Sequence, residues 1–401
     1  MSPSILAVLL LLLVVAGSYA SFRYVSALPG LKFVYLVGTE FFLVGVAFGP
    51  SMSGLIDRPT LLSLAPVFSL GLAWVGLLYG LQFNLHQVVR VPRRLWAAAL
   101  VQFAVGAGAM FLALMGIRTF TEDTFLEHIP SVLALSLILS PASLPFLSLL
   151  HREEGHSFRK EVVSVRVVAA LDDLYPLLGL FVLSLVALRG GTEGGLEAPW
   201  GTFGVPLLAL CGISLMSALA LNLLATRLLW QDRFFLVVLA SWLLVAGMAS
   251  SIGFSSLVAG FFSGVVVANV SRQRGRIVET METMEKPVYL LLLVLLGAWL
   301  QFSVSWTFLG LVVGALVLVR TSARIFASFV TVRLGWVEGS PRLHATLLLP
   351  PGSMSVAMSG SYAISAGELG SPVVLVTFLM LVLSEIQAPL SMRRVNRREE
   401  P

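Results

Sequence analysis

Residues 137–150 read LILSPASLPFLSLL and residues 347–358 read LLLPPGSMSVAM, two apolar stretches each cut near its centre by proline. Proline removes a backbone donor and clashes with the turn before it, so each stretch is expected to form a helix in two halves. The chain around them has 401 residues, 57% of them hydrophobic and only 12% charged, with a mean hydropathy of +0.93. Soluble domains carry about 25% charged residues. The composition therefore describes an all-α polytopic membrane protein, embedded in a lipid bilayer, and excludes nucleic-acid binding. A single cysteine, Cys211, leaves no disulfide framework and no thiolate cluster, and the five histidines show no His-x-x-x-His spacing, so neither a structural metal nor a cofactor is expected.

A spanning helix needs about 20 mostly apolar residues. Cutting the sequence at charge and Gly/Pro clusters gives thirteen candidates, near residues 4–20, 33–49, 61–82, 95–117, 131–150, 163–188, 202–226, 234–250, 252–270, 287–303, 306–332, 343–366 and 371–392. Ser250, Ser251, Ile252 and Gly253 leave almost no loop between the eighth and ninth, and a merged pair would give twelve. The first segment is expected to be a retained helix rather than a signal peptide ending near Ala20, because no basic region precedes it. Of the 26 Lys and Arg residues, all but Arg58, Arg118, Arg189, Arg320 and Arg324 fall at odd-numbered loops or in the C-terminal tail. Cytoplasmic loops collect basic residues, which places the N-terminus outside and the C-terminus in the cytoplasm, and accounts for the net charge of +5.

The interrupted segments are the fifth, at Ser140, Pro141, Ala142, Ser143, Leu144 and Pro145, and the twelfth, at Pro350, Pro351 and Gly352. An odd separation in the order of segments makes them cross the membrane in opposite directions. That pattern is expected of an inverted-topology repeat, segments 1 to 6 matching 8 to 13 with the seventh as linker. In such repeats two crossed discontinuous helices place half-helix ends at the midplane to hold substrate or ion. Two independent proline kinks, common in membrane helices, are the alternative.

Six charged residues fall well inside the predicted spans, away from their ends: Glu40, Asp172, Asp173, Arg320, Arg324 and Glu385. A charge at the bilayer centre is costly, so such residues line a cavity, pair with one another or carry protons. Adjacent carboxylates in a low-dielectric cavity do not both ionise easily and titrate as a unit. A monovalent cation entering between Asp172 and Asp173 would expel a proton, which couples two fluxes without covalent chemistry or an enzyme. The alternative is a structural salt bridge to Arg166 or to Arg324, which lies at nearly the same depth. Arg320 is expected to face Glu40 or the carbonyl end of a broken helix. Glu40 and Glu385 serve either as accessory site residues or in single interhelical hydrogen bonds. His151 and His156, near Glu153 and Glu154, read either as a pH-sensing cluster or as a solvated loop face.

The stretch LILSPASLPFLSLLHREEG followed by AALDDLYPLLGL resembles the monovalent cation:proton antiporter family, in its bacterial sodium/proton and Kef-type potassium/proton branch. YLVGTEFFLVGVAFGPSMSGLI, LGLAWVGLLYGLQFNL, SSLVAGFFSGVVVAN, VLVRTSARIFAS and LLLPPGSMSVAM agree in order, so the resemblance covers about residues 28–390. It implies a cation:proton exchanger of the inner cell membrane that works as a homodimer. Residues 1–94 and 231–304 would then form a scaffold of helices 1–3 and 8–10, and residues 191–230 the linker. Residues 95–190 and 305–401 would form the core of helices 4–6 and 11–13 with a short basic tail. The resemblance makes Asp173 the cation and proton carrier, Asp172 its partner, and Arg324 the charge-compensating residue where well-known electrogenic members have lysine. The family's threonine near the fifth-helix break is absent, with Ser140 and Ser143 close by. Gly352 and Ser353 stand where a carboxylate often follows the second break. Kef-type relatives often continue into a nucleotide-binding domain, whereas the sequence after Met392 is short, so such regulation is expected only from a separate subunit.

Three other readings remain open at this point. A sodium-coupled solute symporter uses the same kind of repeat, and a transport-dead scaffold or receptor could keep the fold. An intramembrane aspartyl protease also needs two buried aspartates, but its carboxylates must face each other across a water, whereas neighbours on one helix point about 100° apart. The choice between sodium and potassium depends on cavity geometry that sequence does not carry.

Overall fold

The computed structural model describes residues 39–119, 124–142, 159–190, 199–227, 231–301 and 306–399. The first candidate span, Ser143, Leu144, Pro145, and the His151, Glu153, Glu154 and His156 cluster lie outside the described residues, as does the side chain of Glu385. Every regular element among the described residues is helical. In chain order the principal helices are α1 (Thr39–Phe48), α2 (Arg58–Ser63), α3 (Ala65–Gly80), α4 (Arg93–Arg118), α5 (Ile129–Ile138), α6 (Arg159–Gly190) and α7 (Pro199–Arg227). They continue as α8 (Gln231–Ser251), α9 (Ser256–Val270), α10 (Arg274–Trp299), α11 (Trp306–Arg333), α12 (Pro341–Leu347), α13 (Ser353–Ala366) and α14 (Gly370–Glu399). Four stretches are long and apolar enough to cross a membrane unaided, Arg93–Arg118, Val163–Leu185, Phe234–Ser251 and Phe308–Arg333.

The expected separation of the eighth and ninth segments is present. Helix α8 ends at Ser251, Gly253 takes a left-handed φ of 74°, and the Ser255 side chain accepts from Val258 N to start α9. The tenth element departs from expectation. Hydropathy places its start near residue 287, but α10 runs back to Arg274 through RGRIVETMETMEK. Those residues are good helix formers, and hydropathy reports where lipid begins rather than where a helix ends.

Two compact units divide the chain. One takes Gly38–Arg90 and Phe181–Leu300, the other Val91–Leu180 and Gln301–Pro401. In the first unit helices cross at glycines. A Cβ at Gly76 or Gly80 of α3 would overlap the carbonyl oxygens of Leu257 or Phe261 on α9, and one at Gly260 or Gly264 of α9 those of Ala73 or Leu77 on α3. The same closeness joins α1 to α10, where a Cβ at Gly45 would overlap Val294 O and one at Gly297 would overlap Phe42 O. Small residues four apart let two backbones touch, the usual means of packing helices where lipid gives no hydrophobic drive.

In the second unit polarity is turned inside out. Along α11, Arg320, Arg324 and Ser328 recur every fourth residue on a buried face, while Leu311, Leu318, Phe326 and Phe329 are exposed. A soluble helix does the reverse; a helix with polar residues inside and bulky apolar ones outside is built for lipid.

Candidate functional site

The second unit contains both interrupted segments. Helix α5 ends at Ile138, Ser140 Oγ turns back to donate to Leu137 O at 2.8 Å, and Pro141 blocks further helix. Helix α12 starts with Pro341 after the Ser340 cap and stops at Leu347, ahead of Pro350 and Pro351; Gly352 then caps α13. Each break exposes carbonyls that no helix can satisfy, and the chain has placed two arginines to take them.

Arg320 donates from Nε to Leu349 O at 2.8 Å and from Nη2 to Pro141 O at 2.6 Å, so one guanidinium joins both breaks. Of the two expectations for Arg320, the broken-helix carbonyl is the one realised. One turn on, Arg324 donates from Nη2 to Asp172 Oδ2 at 2.7 Å and to Ser140 O. Its Nη1 donates to Gln102 Oε1 on α4 at 3.2 Å. Gln102 Nε2 in turn donates to Ser328 Oγ at 3.1 Å.

The aspartates lie on α6, which packs on α4 through the Tyr175 hydroxyl, donating to Trp96 O at 3.2 Å, and through stacking of Tyr175 on Phe103. Asp172, Asp173, Arg320 and Arg324 are each at most 3% exposed. The salt bridge to Arg324 expected as an alternative for the pair is therefore present, but for Asp172 alone. Asp172 Oδ1 and Asp173 Oδ1 are buried with no hydrogen-bond partner among the described residues. Pro176, inside α6, has no N–H for the carbonyl four residues back, which is that of Asp172. Burying a charged oxygen without a partner is costly, which sets these two oxygens apart from the satisfied polar atoms around them.

Of the other expected residues, Ala142, Pro350, Pro351 and Gly352 are buried at the breaks, and Glu40 lies in the first unit, on the first turn of α1. Glu385 lies on α14. Sequence reading passed over Gln102 because a search for charges ignores amides; a lone amide amid the apolar run of 95–117 was the available signal. It also passed over Ser355 and Thr377, each at most 1% exposed, whose hydroxyl oxygens have no partner among the described residues.

Comparison with known proteins follows the same line. In fold the chain is similar to the sodium proton antiporter MjNhaP1 from Methanocaldococcus jannaschii. The structure of that protein at pH 8 matches with a TM-score of 0.66 at 15% identity, over 98% of this chain and 99% of the other. A second structure of the same antiporter, from electron microscopy, matches with a TM-score of 0.66 at 16% identity over 100% of both chains. No curated protein matches the chain in sequence. The profile of the family described as sodium/hydrogen exchanger, transmembrane, matches residues 31–395. With nearly the whole sequence inside that match, the chain belongs to the transmembrane sodium/hydrogen exchanger family.

Proposed function

We propose that the protein is a secondary active transporter that exchanges a monovalent cation, sodium or potassium, for protons across a cell membrane by alternating access. The observation that carries this reading is the unequal treatment of two adjacent buried carboxylates. Asp172 Oδ2 accepts from Arg324, while Asp172 Oδ1 and Asp173 Oδ1 have no hydrogen-bond donor among the described residues. Asp173 is the cation and proton carrier, Asp172 its partner, Arg324 and Arg320 the compensating charges. The breaks at 140–142 and at Pro350–Gly352 frame the site. Two carboxylates share this buried cluster with two guanidinium groups. The cluster therefore has the same formal charge with one proton bound as with one monovalent cation bound, so each can replace the other. Family membership supplies the reaction class.

In this reading the core of residues 95–190 and 305–401 moves against a dimeric scaffold of residues 1–94 and 231–304, with 191–230 as linker. The division into compact units near Arg90, Leu180 and Leu300 supports it. The glycine crossings support the inverted repeat. Exchanging the second segment with the ninth, and the third with the tenth, turns the α1–α10 crossing into the α9–α3 crossing. The basic loops support an N-terminus outside and a C-terminus in the cytoplasm, with the protein in the cell (inner) membrane. Reporter fusions at each end test the orientation.

The deciding experiment is a proteoliposome with an internal pH dye and an imposed pH gradient. Added sodium or potassium collapses the gradient, and Asp173→Asn abolishes the response. Full exchange by the Asn variant would remove Asp173 from the mechanism.

A further inference from the structure

We propose that Gln102 is a positioning residue that keeps Arg324 on a single oxygen of Asp172, and so holds Asp172 Oδ1 open beside Asp173 as a cation ligand. The inference rests on the exchange reading above and adds a specificity-determining residue to it.

The argument starts from what an amide can do that a carboxylate or a hydrocarbon cannot. Arginine has only donors, so the Gln102 oxygen must face it, and it does, accepting from Nη1 at 3.2 Å. The amide nitrogen then has to find an acceptor, and it donates to Ser328 Oγ at 3.1 Å. Arg324 and Ser328 are one turn apart on α11, so Gln102 grips the same helix face at two points. Gln102 is 1% exposed and Ser328 0%, which leaves the amide no solvent to turn toward.

With Nη1 engaged by Gln102, Arg324 meets Asp172 and Ser140 O through Nη2 only. An arginine and a carboxylate otherwise prefer the two-point, fork-to-fork arrangement. The oxygen that such a fork would take is Asp172 Oδ1, and that oxygen is buried and without a partner among the described residues. Asp172 Oδ1 and Asp173 Oδ1, on adjacent residues of α6, are thus the two carboxylate oxygens without a donor among the described residues, and these are the oxygens offered to an incoming cation. A neutral amide is suited to this task. It occupies the second arm of the guanidinium without adding a charge, so Asp172 and Asp173 remain balanced by Arg320 and Arg324.

Without Gln102 the Nη1 donor is buried and unmet, which costs as much as a lost hydrogen bond. Closing the fork on Asp172 is the remedy at hand. The cation then has to displace a bidentate arginine, and its apparent affinity falls.

The test measures exchange in proteoliposomes as a function of sodium and of potassium concentration at fixed pH. The variants are Gln102→Met, which keeps the volume, Gln102→Glu, which keeps the acceptor but adds a charge, Ser328→Ala, and Gln102→Met with Ser328→Ala. Gln102→Met is expected to raise the KM for the cation about tenfold, the loss set by one buried hydrogen bond, with kcat within twofold of the wild type. Ser328→Ala is expected to raise KM by less, and the double variant to match Gln102→Met, because both substitutions act through one contact. Gln102→Glu is expected to shift the pH profile of exchange, since it draws Arg324 away from Asp172. Wild-type KM and pH profile in Gln102→Met overturn the inference, as does a double variant in which the two effects add. If Gln102→Met does not fold, a Gln102→Glu variant with an unaltered pH profile overturns it equally. A wild-type protein that exchanges no monovalent cation overturns the exchange reading and this inference together, whereas wild-type exchange with an indifferent Gln102 overturns this inference alone.

Discussion

Replacing Arg320 by lysine is expected to destabilise the protein as much as replacing it by methionine, although lysine keeps the charge. Arg320 meets its two carbonyls through different nitrogens, Nε to Leu349 O at 2.8 Å and Nη2 to Pro141 O at 2.6 Å. A lysine has one nitrogen and cannot reproduce both. It still has to be buried as a cation where Arg320 is 3% exposed. One lost hydrogen bond to a charged donor is worth about 1.5–3 kcal/mol. Methionine loses both bonds, at about 1–3 kcal/mol for each orphaned carbonyl. It also removes a buried cation whose desolvation costs several kcal/mol, so the two changes oppose each other. For a unit of about 150–250 residues, 1 kcal/mol moves the melting temperature roughly 2–4 °C, so the lysine variant should melt about 3–12 °C below the wild type. The assay is tryptophan fluorescence on heating in detergent at one scan rate, since membrane proteins unfold irreversibly and the apparent Tm depends on rate. A lysine variant that melts with the wild type, beside a methionine variant that does not, would show that Arg320 acts as a charge and not as a tie between the breaks.

Three further outcomes are expected. Because the buried cluster has the same formal charge with a proton or with a monovalent cation, exchange in liposomes should ignore an imposed membrane potential; Arg324→Lys keeps the ion pair with Asp172 but introduces a titratable amine, and should make the rate respond to potential. Gly76→Ala should disrupt the α3–α9 crossing and cut the yield of folded protein, because its Cβ would overlap Leu257 O. Gly108→Ala, with nothing within 4 Å, should be neutral or stabilising by about 0.5–1 kcal/mol in the same thermal assay. In the loop before α2, hydrogen bonds from the Thr60 side chain and backbone hold the Asp57 carboxyl below the usual carboxylate range. The cap is therefore complete above about pH 4 and is lost as pH falls through that lowered value, so amide exchange at Thr60 should quicken only under more acidic conditions, and at every pH in Asp57→Ala.

The architecture was legible wherever one residue type forces the backbone. Pro141 and the Pro350–Pro351 pair announce the two breaks, Gly253 the joint between α8 and α9, and Asp172 and Asp173 the buried pair. Arg324 could be matched to them by depth alone. What sequence could not give is direction. That Arg320 reaches both breaks, and that Arg324 meets Asp172 but not Asp173, depends on which way each side chain points around α11 and α6. The glycines at 76, 80, 260 and 264 stood in plain view as four-residue repeats, yet which repeat met which was a tertiary fact. Gln102 was invisible to a search for charge because its value lies in being polar and neutral at once.

The tie made by Arg320 also orders the events of synthesis. Pro141 O finds its donor 179 residues later in the chain and Leu349 O only 29 residues earlier. At about 5–20 residues per second, the first break spends roughly 9–36 s in or near the membrane before its arginine exists. A bare carbonyl is not tolerated in lipid, so the N-terminal half has to remain in contact with water, or with the insertion machinery, until α11 arrives. Chains truncated just before Arg320 should therefore crosslink to that machinery, and chains extended past it should be released.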